Sequence, residues 1–295
     1  MRAPTEPVMP SEVTGSGKPV VLVPGGLTGW QSWKPHVERL ASTFTVLKVQ
    51  LLSVENGLRG VPLPTGYGVR TESRALELAL DAHEINFADF SGWSYGGLVL
   101  LDFALNHPER VRSLTLIEPP AFWVLQSRGT LGPDVLEFQR VARGFDLVDV
   151  TEEQLVRFAH FAGFVPKEVD PRTLPQWAVW LQHRQSLRTG DLAFRHWNDL
   201  THVKQFDKPV LLFKGMGSPG YLREIIDILG QEFPHCPSRG TSRGPRTAGC
   251  LNRSILGAVR SIHTRGSIED RFVAALLAMT KPRREGTVPS FLFFE

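Results

Sequence analysis

The sequence has few cysteines and no long apolar run, and each absence excludes a class of protein. Cys236 and Cys250 are the only cysteines among 295 residues, too few for a disulfide framework, so we expect a reducing, cytoplasmic setting. No apolar run approaches the roughly 18 residues of a membrane span, and the Pro-rich start has no signal-peptide core. We therefore expect no membrane association.

The positive charge of the chain is confined to its C-terminal fifth. The net charge is +3, but residues 236–295 carry 10 Lys and Arg against 4 Asp and Glu, while the rest carries 23 against 26. The main body is thus mildly acidic and offers no electrostatic footprint for a phosphate backbone. We expect no nucleic-acid partner.

Acidic residues are absent from positions 233–268, and the stretch 236–267 also has no apolar periodicity. Such a segment buries too little apolar surface to offset its ordering entropy. We interpret it as an irregular, disordered loop or as a stretch that has lost the sequence the fold needs. A disturbed reading frame in the gene is one cause that would explain such a loss. We also expect a flexible N-terminal segment at 1–17 and an unstructured tail at 281–295.

The most informative stretch runs from Gly92 to Gly97 and reads Gly-Trp-Ser-Tyr-Gly-Gly. An apolar strand is predicted before it at 87–91, and a buried helix after it at 98–105. A serine between two such elements needs a tight turn, and the flanking glycines remove the clashes that larger neighbours would make. The pattern indicates that Ser94 is a nucleophile held at the end of a strand.

Apolar runs alternate with helical patterns along the chain, which predicts an α/β fold with a doubly wound, mostly parallel sheet. We expect the core at 18–119 and 207–280. The predicted strands are 18–23, 44–51, 87–91, 111–117 and 208–214.

Residues 120–206 have helical patterns without strands and are rich in aromatic residues. We interpret this block as a helical cap over the carboxyl edge of the sheet, where open α/β sheets bind ligands. Most of its aromatic side chains must simply pack the cap onto the core. The expected substrate contacts are Trp93 on the elbow and Trp123, Trp177 and Trp180 in the cap.

No motif for a cofactor or metal is convincing, and we expect neither. Residues 215–220 spell G-x-G-x-x-G, but the acid expected about 20 residues later is absent and Pro219 lacks an amide donor. No Cys/His cluster has zinc spacing, and no P-loop lysine motif occurs.

The elbow, the Pro24–Leu27 turn after the first strand and the inserted cap resemble the α/β-hydrolase superfamily, in its capped esterase, lactonase and dehalogenase-like branch. The resemblance covers residues 18 to about 235 and 268–280. It implies that Ser94 is the nucleophile. It also implies an oxyanion hole formed by the backbone N–H groups of Gly26 or Leu27 and of Tyr95.

The resemblance also implies an acid and a base for the nucleophile. The family usually places an aspartate where this chain has Ser218, but some members carry the acid after the preceding strand, where this chain has Glu118. The resemblance implies His263 as the base, nine residues before Phe272, with His235 as a rival. The segment around His263 does not match the family's last strand.

The implied activity is a serine hydrolase cleaving an ester, lactone or related small-molecule acyl substrate through an acyl-enzyme. A serine nucleophile argues against epoxide hydrolase and dehalogenase chemistry. Two alternatives stay open: a carbon–carbon bond hydrolase using the same triad, and a binding protein that has lost its catalytic histidine. The sequence does not indicate the oligomeric state.

Overall fold

The computed structural model describes residues 6–145, 149–215, 217–234 and 236. Its six strands form one sheet in the spatial order β1-β3-β2-β4-β5-β6. The strands are β1 (Ser11–Thr14), β2 (Lys18–Val23), β3 (Phe44–Val49), β4 (Ala88–Trp93), β5 (Val111–Ile117) and β6 (Val210–Phe213).

Four of the five strand pairings are parallel, which confirms the predicted α/β class. The exception is β1, which runs antiparallel to β3 with Ser11 opposite Val49. This strand lies inside the segment 1–17 that the sequence predicted to be flexible, so residues 11–14 correct that expectation. The hydropathy pattern does not indicate β1, because three of the four residues of this edge strand are exposed.

Helices connect the strands, and none in the described residues is long and apolar enough to cross a membrane. A short helix, α2, lies between β3 and α3, where the sequence analysis assigned neither a helix nor a strand. The helices are α1 (Lys34–Leu40), α2 (Leu52–Leu58), α3 (Val69–Ala82), α4 (Tyr95–Asn106), α5 (Phe122–Arg128), α6 (Pro133–Arg143), α7 (Glu152–Phe161), α8 (Trp177–His183), α9 (Leu192–Arg195), α10 (Leu200–Gln205) and α11 (Gly220–Glu232).

The sheet is covered on both faces, as the continuous apolar strands require. Alternate residues of β2 point in opposite directions. Val21 and Val23 join the large core cluster that includes residues of α3 and α4, whereas Val20 and Leu22 join a smaller cluster with α1.

Every described element between β5 and β6 is helical. These helices pack largely through aromatic rings; Phe122 and Phe194 stack with their centroids 3.8 Å apart. A 3₁₀ helix, Arg184–Thr189, packs this layer against α2.

The first turn of α4 lies directly against the turn that follows β2. A Cβ added at Gly96 would lie 2.2 Å from the carbonyl oxygen of Pro24 and 2.9 Å from Val23 Cγ1. Those distances are well inside van der Waals contact, so only glycine allows the approach. The contact places the β2 turn beside the start of α4.

We predict that Gly96→Ala destabilises the protein, although alanine normally stabilises a helix relative to glycine. The added methyl group must push α4 away from Pro24, at a cost of about 1–3 kcal/mol. The matched control is Gly220→Ala at the start of α11, where no atom of the described residues, apart from chain neighbours and the helix's own backbone, lies within 4 Å of an added Cβ. Urea unfolding would measure both, and equal midpoints for the two variants would contradict the prediction.

Candidate active site

The carboxyl ends of four parallel strands meet at one edge of the sheet and place the candidate residues there. The turn 24–28 follows β2, Ser94 follows β4, Glu118 follows β5 and Gly215 lies just beyond β6. The strands end at nearly the same level, because Val23 pairs with Gly92 and the last residues of β4, β5 and β6 pair in register. Loops at this edge are where open α/β sheets bind ligands.

Ser94 occupies the tight strand-to-helix turn predicted from the sequence. Its φ of 52° and ψ of −127° are unusual for a residue with a side chain, and its N–H donates to the carbonyl of Ile117 at 2.8 Å. A Cβ added at Gly25 would lie 3.5 Å from Ser94 Cβ. The serine is therefore fixed to β5 on one side and faces the β2 turn on the other.

The backbone of Glu118, at the end of β5, is likewise hydrogen-bonded to the neighbouring strand. Its N–H donates to the carbonyl of Phe213 at 3.2 Å, and its Oε1 accepts from the N–H of Gly215 at 2.7 Å. A Cβ added at Gly215 would lie 3.3 Å from this Oε1 and 2.6 Å from the hydroxyl of Ser218. The carboxylate of Glu118 therefore lies beside the loop in which the sequence has serine instead of aspartate.

Ser94 and Glu118 also share a strained backbone. Among the described residues, three that are not glycine have positive φ, namely Glu84, Ser94 and Glu118. Such conformations cost of order 1–3 kcal/mol each and concentrate at functional sites. Two of the three lie at the ends of adjacent strands, at the candidate site.

Backbone N–H groups on the β2 turn and in the first turn of α4 donate no hydrogen bond to another described residue. Those of Gly26, Leu27 and Tyr95 are among them. Unpaired backbone donors are uncommon away from water. These donors, on the β2 turn and at the start of α4, are available to bind an oxygen of a ligand.

A family model described as the α/β-hydrolase fold matches residues 18–240, well over half of the chain. The chain belongs to the α/β-hydrolase family.

Curated relatives of this α/β hydrolase include a pimeloyl-[acyl-carrier protein] methyl ester esterase of Yersinia enterocolitica. It is 30% identical over 193 residues, which cover 60% of this chain and 71% of that protein. A 2-hydroxy-6-oxo-2,4-heptadienoate hydrolase of Pseudomonas putida is 36% identical over 106 residues, 35% of this chain and 38% of that protein. The chain thus matches less than two fifths of the length of that hydrolase.

Solved structures share the fold. A hydrolase from Pseudomonas aeruginosa matches with a TM-score of 0.58 and 21% identity, over 77% of this chain and 83% of that one. A carboxylesterase from Bacillus subtilis matches with a TM-score of 0.56 and 17% identity, over 76% and 77%.

The base expected for the α/β hydrolase, His263, lies outside the described residues, as does its rival His235. Six of the seven described histidines contact groups other than Ser94, and the buried Nδ1 of His160 has no hydrogen-bond partner among the described residues. His36 packs edge-on against Trp33. His83 is hydrogen-bonded to Ser11, His183 to the carbonyl of Val179 and His202 to Asn198. His107 lies beside Glu77 and Glu109, and His196 lies beside Asp102.

Burial raises the pKa of the Cys236 thiol to about 12, so this cysteine is no competing nucleophile.

The four tryptophans expected at the substrate are not brought together. Trp177 and Trp180 pack in a cap cluster that includes Leu27 of the β2 turn. Trp93 instead packs against the cluster beneath α1, and Trp123 is fully buried in the main core. Trp123 therefore packs in the core, whereas the sequence analysis expected it to contact the substrate.

A buried network that the sequence analysis missed lies behind Tyr95. The Glu72 carboxylate accepts from the N–H groups of Leu52 and Ser53 at 2.9 and 3.0 Å, and from the Tyr67 hydroxyl at 2.5 Å. The Tyr67 and Tyr95 hydroxyls are 3.5 Å apart. Glu72 thus accepts from the first two N–H donors of α2 and connects that helix to Tyr95, the residue after Ser94.

Burial perturbs every titratable group of this network. Burial raises the pKa of Glu72 above its ordinary value of 4.5, although the hydrogen bonds from Tyr67, Ser53 and Leu52 act in the opposite direction. The pKa values of Tyr95 and Tyr67 are also raised; burial is the largest cause and the nearby Glu72 carboxylate is the next. Both tyrosines therefore stay protonated and act as hydrogen-bond donors.

We predict that the stability advantage of the wild type over Glu72→Gln falls as pH rises above about 4.5. The folded state holds the Glu72 proton more tightly than the unfolded chain, so stability is lost between the unfolded pKa and the raised folded one. The loss is about 1.4 kcal/mol for each pH unit between these two pKa values.

Denaturant unfolding of both proteins at a series of pH values measures this difference. Glu38→Gln, at an exposed position on α1, is the control and should show no such trend. A wild-type advantage that grows with pH would show that the folded-state pKa of Glu72 is lowered instead.

Proposed function

We propose that this α/β hydrolase cleaves an ester, lactone or related small-molecule acyl substrate through an acyl-enzyme on Ser94. The observation that carries the proposal is the strained turn at Ser94, beside which the backbone N–H groups of Gly26, Leu27 and Tyr95 donate no hydrogen bond to another described residue. A strand-end serine in this conformation presents its hydroxyl above the edge of the sheet. The esterase relative supports the acyl-transfer class.

Gly26, Leu27 and Tyr95 supply the oxyanion hole in this proposal. Ser94 Oγ attacks the carbonyl carbon, and the negative charge that develops on the carbonyl oxygen is bound by these backbone N–H groups. Donors fixed by a turn and a helix N-terminus need no reorganisation as the charge forms. The Glu72 network behind Tyr95 keeps the third donor in place.

Glu118 is the acid of the proposed triad, and His263 is its base. The imidazole takes the Ser94 proton as the new C–O bond forms, then delivers it to the leaving oxygen as the scissile bond breaks. Water next attacks the acyl carbon and gives a proton to the same base. The base returns this proton to Ser94 Oγ as the acyl C–O bond breaks and the carboxylic acid product leaves. Glu118 orients the imidazole, a role supported by its fixed position at the end of β5.

Two other activities have specific support. A carbon–carbon bond hydrolase would use the same serine and donors, and the similarity to the heptadienoate hydrolase favours it. A binding protein without turnover is favoured because no hydrogen bond between Ser94 and a histidine occurs among the described residues, and six of the seven described histidines contact other groups.

We predict that the wild-type protein hydrolyses p-nitrophenyl butyrate and that Ser94→Ala abolishes this turnover. Removing the nucleophile removes the acyl-enzyme route, so we expect a loss of at least about 10³-fold in kcat. Release of p-nitrophenol measures both proteins. The matched control is Ser127→Ala, which removes a hydroxyl bonded to the Trp123 carbonyl and should leave kcat unchanged.

Wild-type turnover equal to that of Ser94→Ala would exclude the proposed route. Absence of turnover in the wild type, together with binding of acyl compounds, would favour the binding protein instead.

We predict that Glu118→Gln lowers kcat by about 10²- to 10⁴-fold. The glutamine oxygen can still accept from the Gly215 N–H, so the variant removes the negative charge and keeps the hydrogen bond. Glu84→Gln is the control because Glu84 is also a glutamate with positive φ, but it is exposed between α3 and β4. If both variants retain wild-type kcat, Glu118 is not the acid.

A further inference from the structure

Ser186 carries a buried hydroxyl that has no partner among the described residues. The residue lies in the 3₁₀ helix Arg184–Thr189 and is 4% exposed. Its Oγ has no hydrogen-bond partner within the described part of the chain. A buried polar group without a partner is disfavoured in a native structure, and such groups are expected to have a specific role.

The hydroxyl of Ser186 faces the β2 turn beside the nucleophile. A Cβ added at Gly26 would lie 3.4 Å from Ser186 Oγ and 4.0 Å from Ser186 Cβ. The oxygen is therefore the part of the side chain nearest to the turn. It approaches Gly26 on the side where a Cβ would be.

Several contacts fix Ser186 in this position. Gly57 of α2 lies against it, since a Cβ added there would be 3.1 Å from the Ser186 N atom. Arg188 donates from Nη2 to the carbonyl of Val61 at 2.8 Å, and Arg184 donates from Nε to the carbonyl of Val150 at 2.9 Å. The neighbouring residue Leu187 packs in the cap cluster that contains Leu27.

We infer that Ser186 is a specificity-determining residue that donates a hydrogen bond to an oxygen atom on the acyl chain of the substrate. This inference rests on the proposed function, because it places the scissile carbonyl between Ser94 and the N–H groups of the β2 turn. A hydroxyl on the Cα side of Gly26 lies next to the oxyanion and not on it. The group it reaches is therefore a substituent close to the carbonyl, and the preferred substrates are oxygenated acyl compounds.

The test compares p-nitrophenyl methoxyacetate with p-nitrophenyl butyrate, which differ by an ether oxygen in place of one methylene group. We expect the ratio of kcat/KM for methoxyacetate over butyrate to fall by about three- to tenfold in Ser186→Ala, the range for loss of one hydrogen bond. Comparing ratios between proteins cancels the different intrinsic reactivity of the two esters. Ser127→Ala is the control and should keep the wild-type ratio.

A purely structural role for Ser186 predicts different results. Removing a structural hydrogen bond would lower the thermal unfolding midpoint, whereas removing an unpartnered hydroxyl should leave it unchanged or raise it. If Ser186 were instead an additional oxyanion donor, its loss would lower kcat equally for both esters. The inference would be overturned if Ser186→Ala kept the wild-type ratio of kcat/KM. This includes an equal loss of kcat for both esters, and a lowered unfolding midpoint with an unchanged ratio.

Failure of the proposed function is distinguishable because wild-type protein would then turn over neither ester. In that case binding of 2-methoxyacetamide and butyramide, measured by ligand-observed NMR, tests Ser186 directly. Tighter binding of the methoxy compound in the wild type, lost in Ser186→Ala, supports the inference. Equal binding of the two compounds, or binding of neither, overturns it.

Discussion

The contact between the first turn of α4 and the carbonyl of Pro24 is the constraint on which the candidate site depends. With no side chain at Gly96, the helix that follows Ser94 comes against the turn that follows β2. Ser94 and the backbone N–H groups of Gly26 and Leu27 thereby meet at one sheet edge. A larger side chain at this position would separate the two halves of the proposed oxyanion hole.

Strain at the carboxyl ends of the strands is offset by the surrounding core. Ser94 and Glu118 each adopt a positive φ and each donate an N–H to the neighbouring strand. The strands beneath them are buried on both faces, and this burial holds the two residues in costly conformations. The Glu72 network adds a second support, from behind Tyr95, through one buried carboxylate.

The sequence predicted the elements whose signal is local. The continuous apolar runs gave β2 and β5, and the glycines around Ser94 gave the elbow. The strand β1 was missed because its exposed residues carry no apolar pattern. Helix α2 was missed because the carboxylate that satisfies its first donors belongs to Glu72, about 20 residues later in the chain.

The candidate site was predictable where chain position alone determines it. Ser94, Glu118 and Gly26 each follow a strand, so strand prediction places them at one edge. The roles of Glu72 and Ser186 depend on which side chains meet across the fold, and the burial of Trp123 depends on packing that periodicity does not reveal. The central claim is that Ser94 is an activated nucleophile. A fluorophosphonate probe followed by peptide mass spectrometry tests it: the account predicts an adduct on Ser94, and an unmodified Ser94 in folded protein would contradict it.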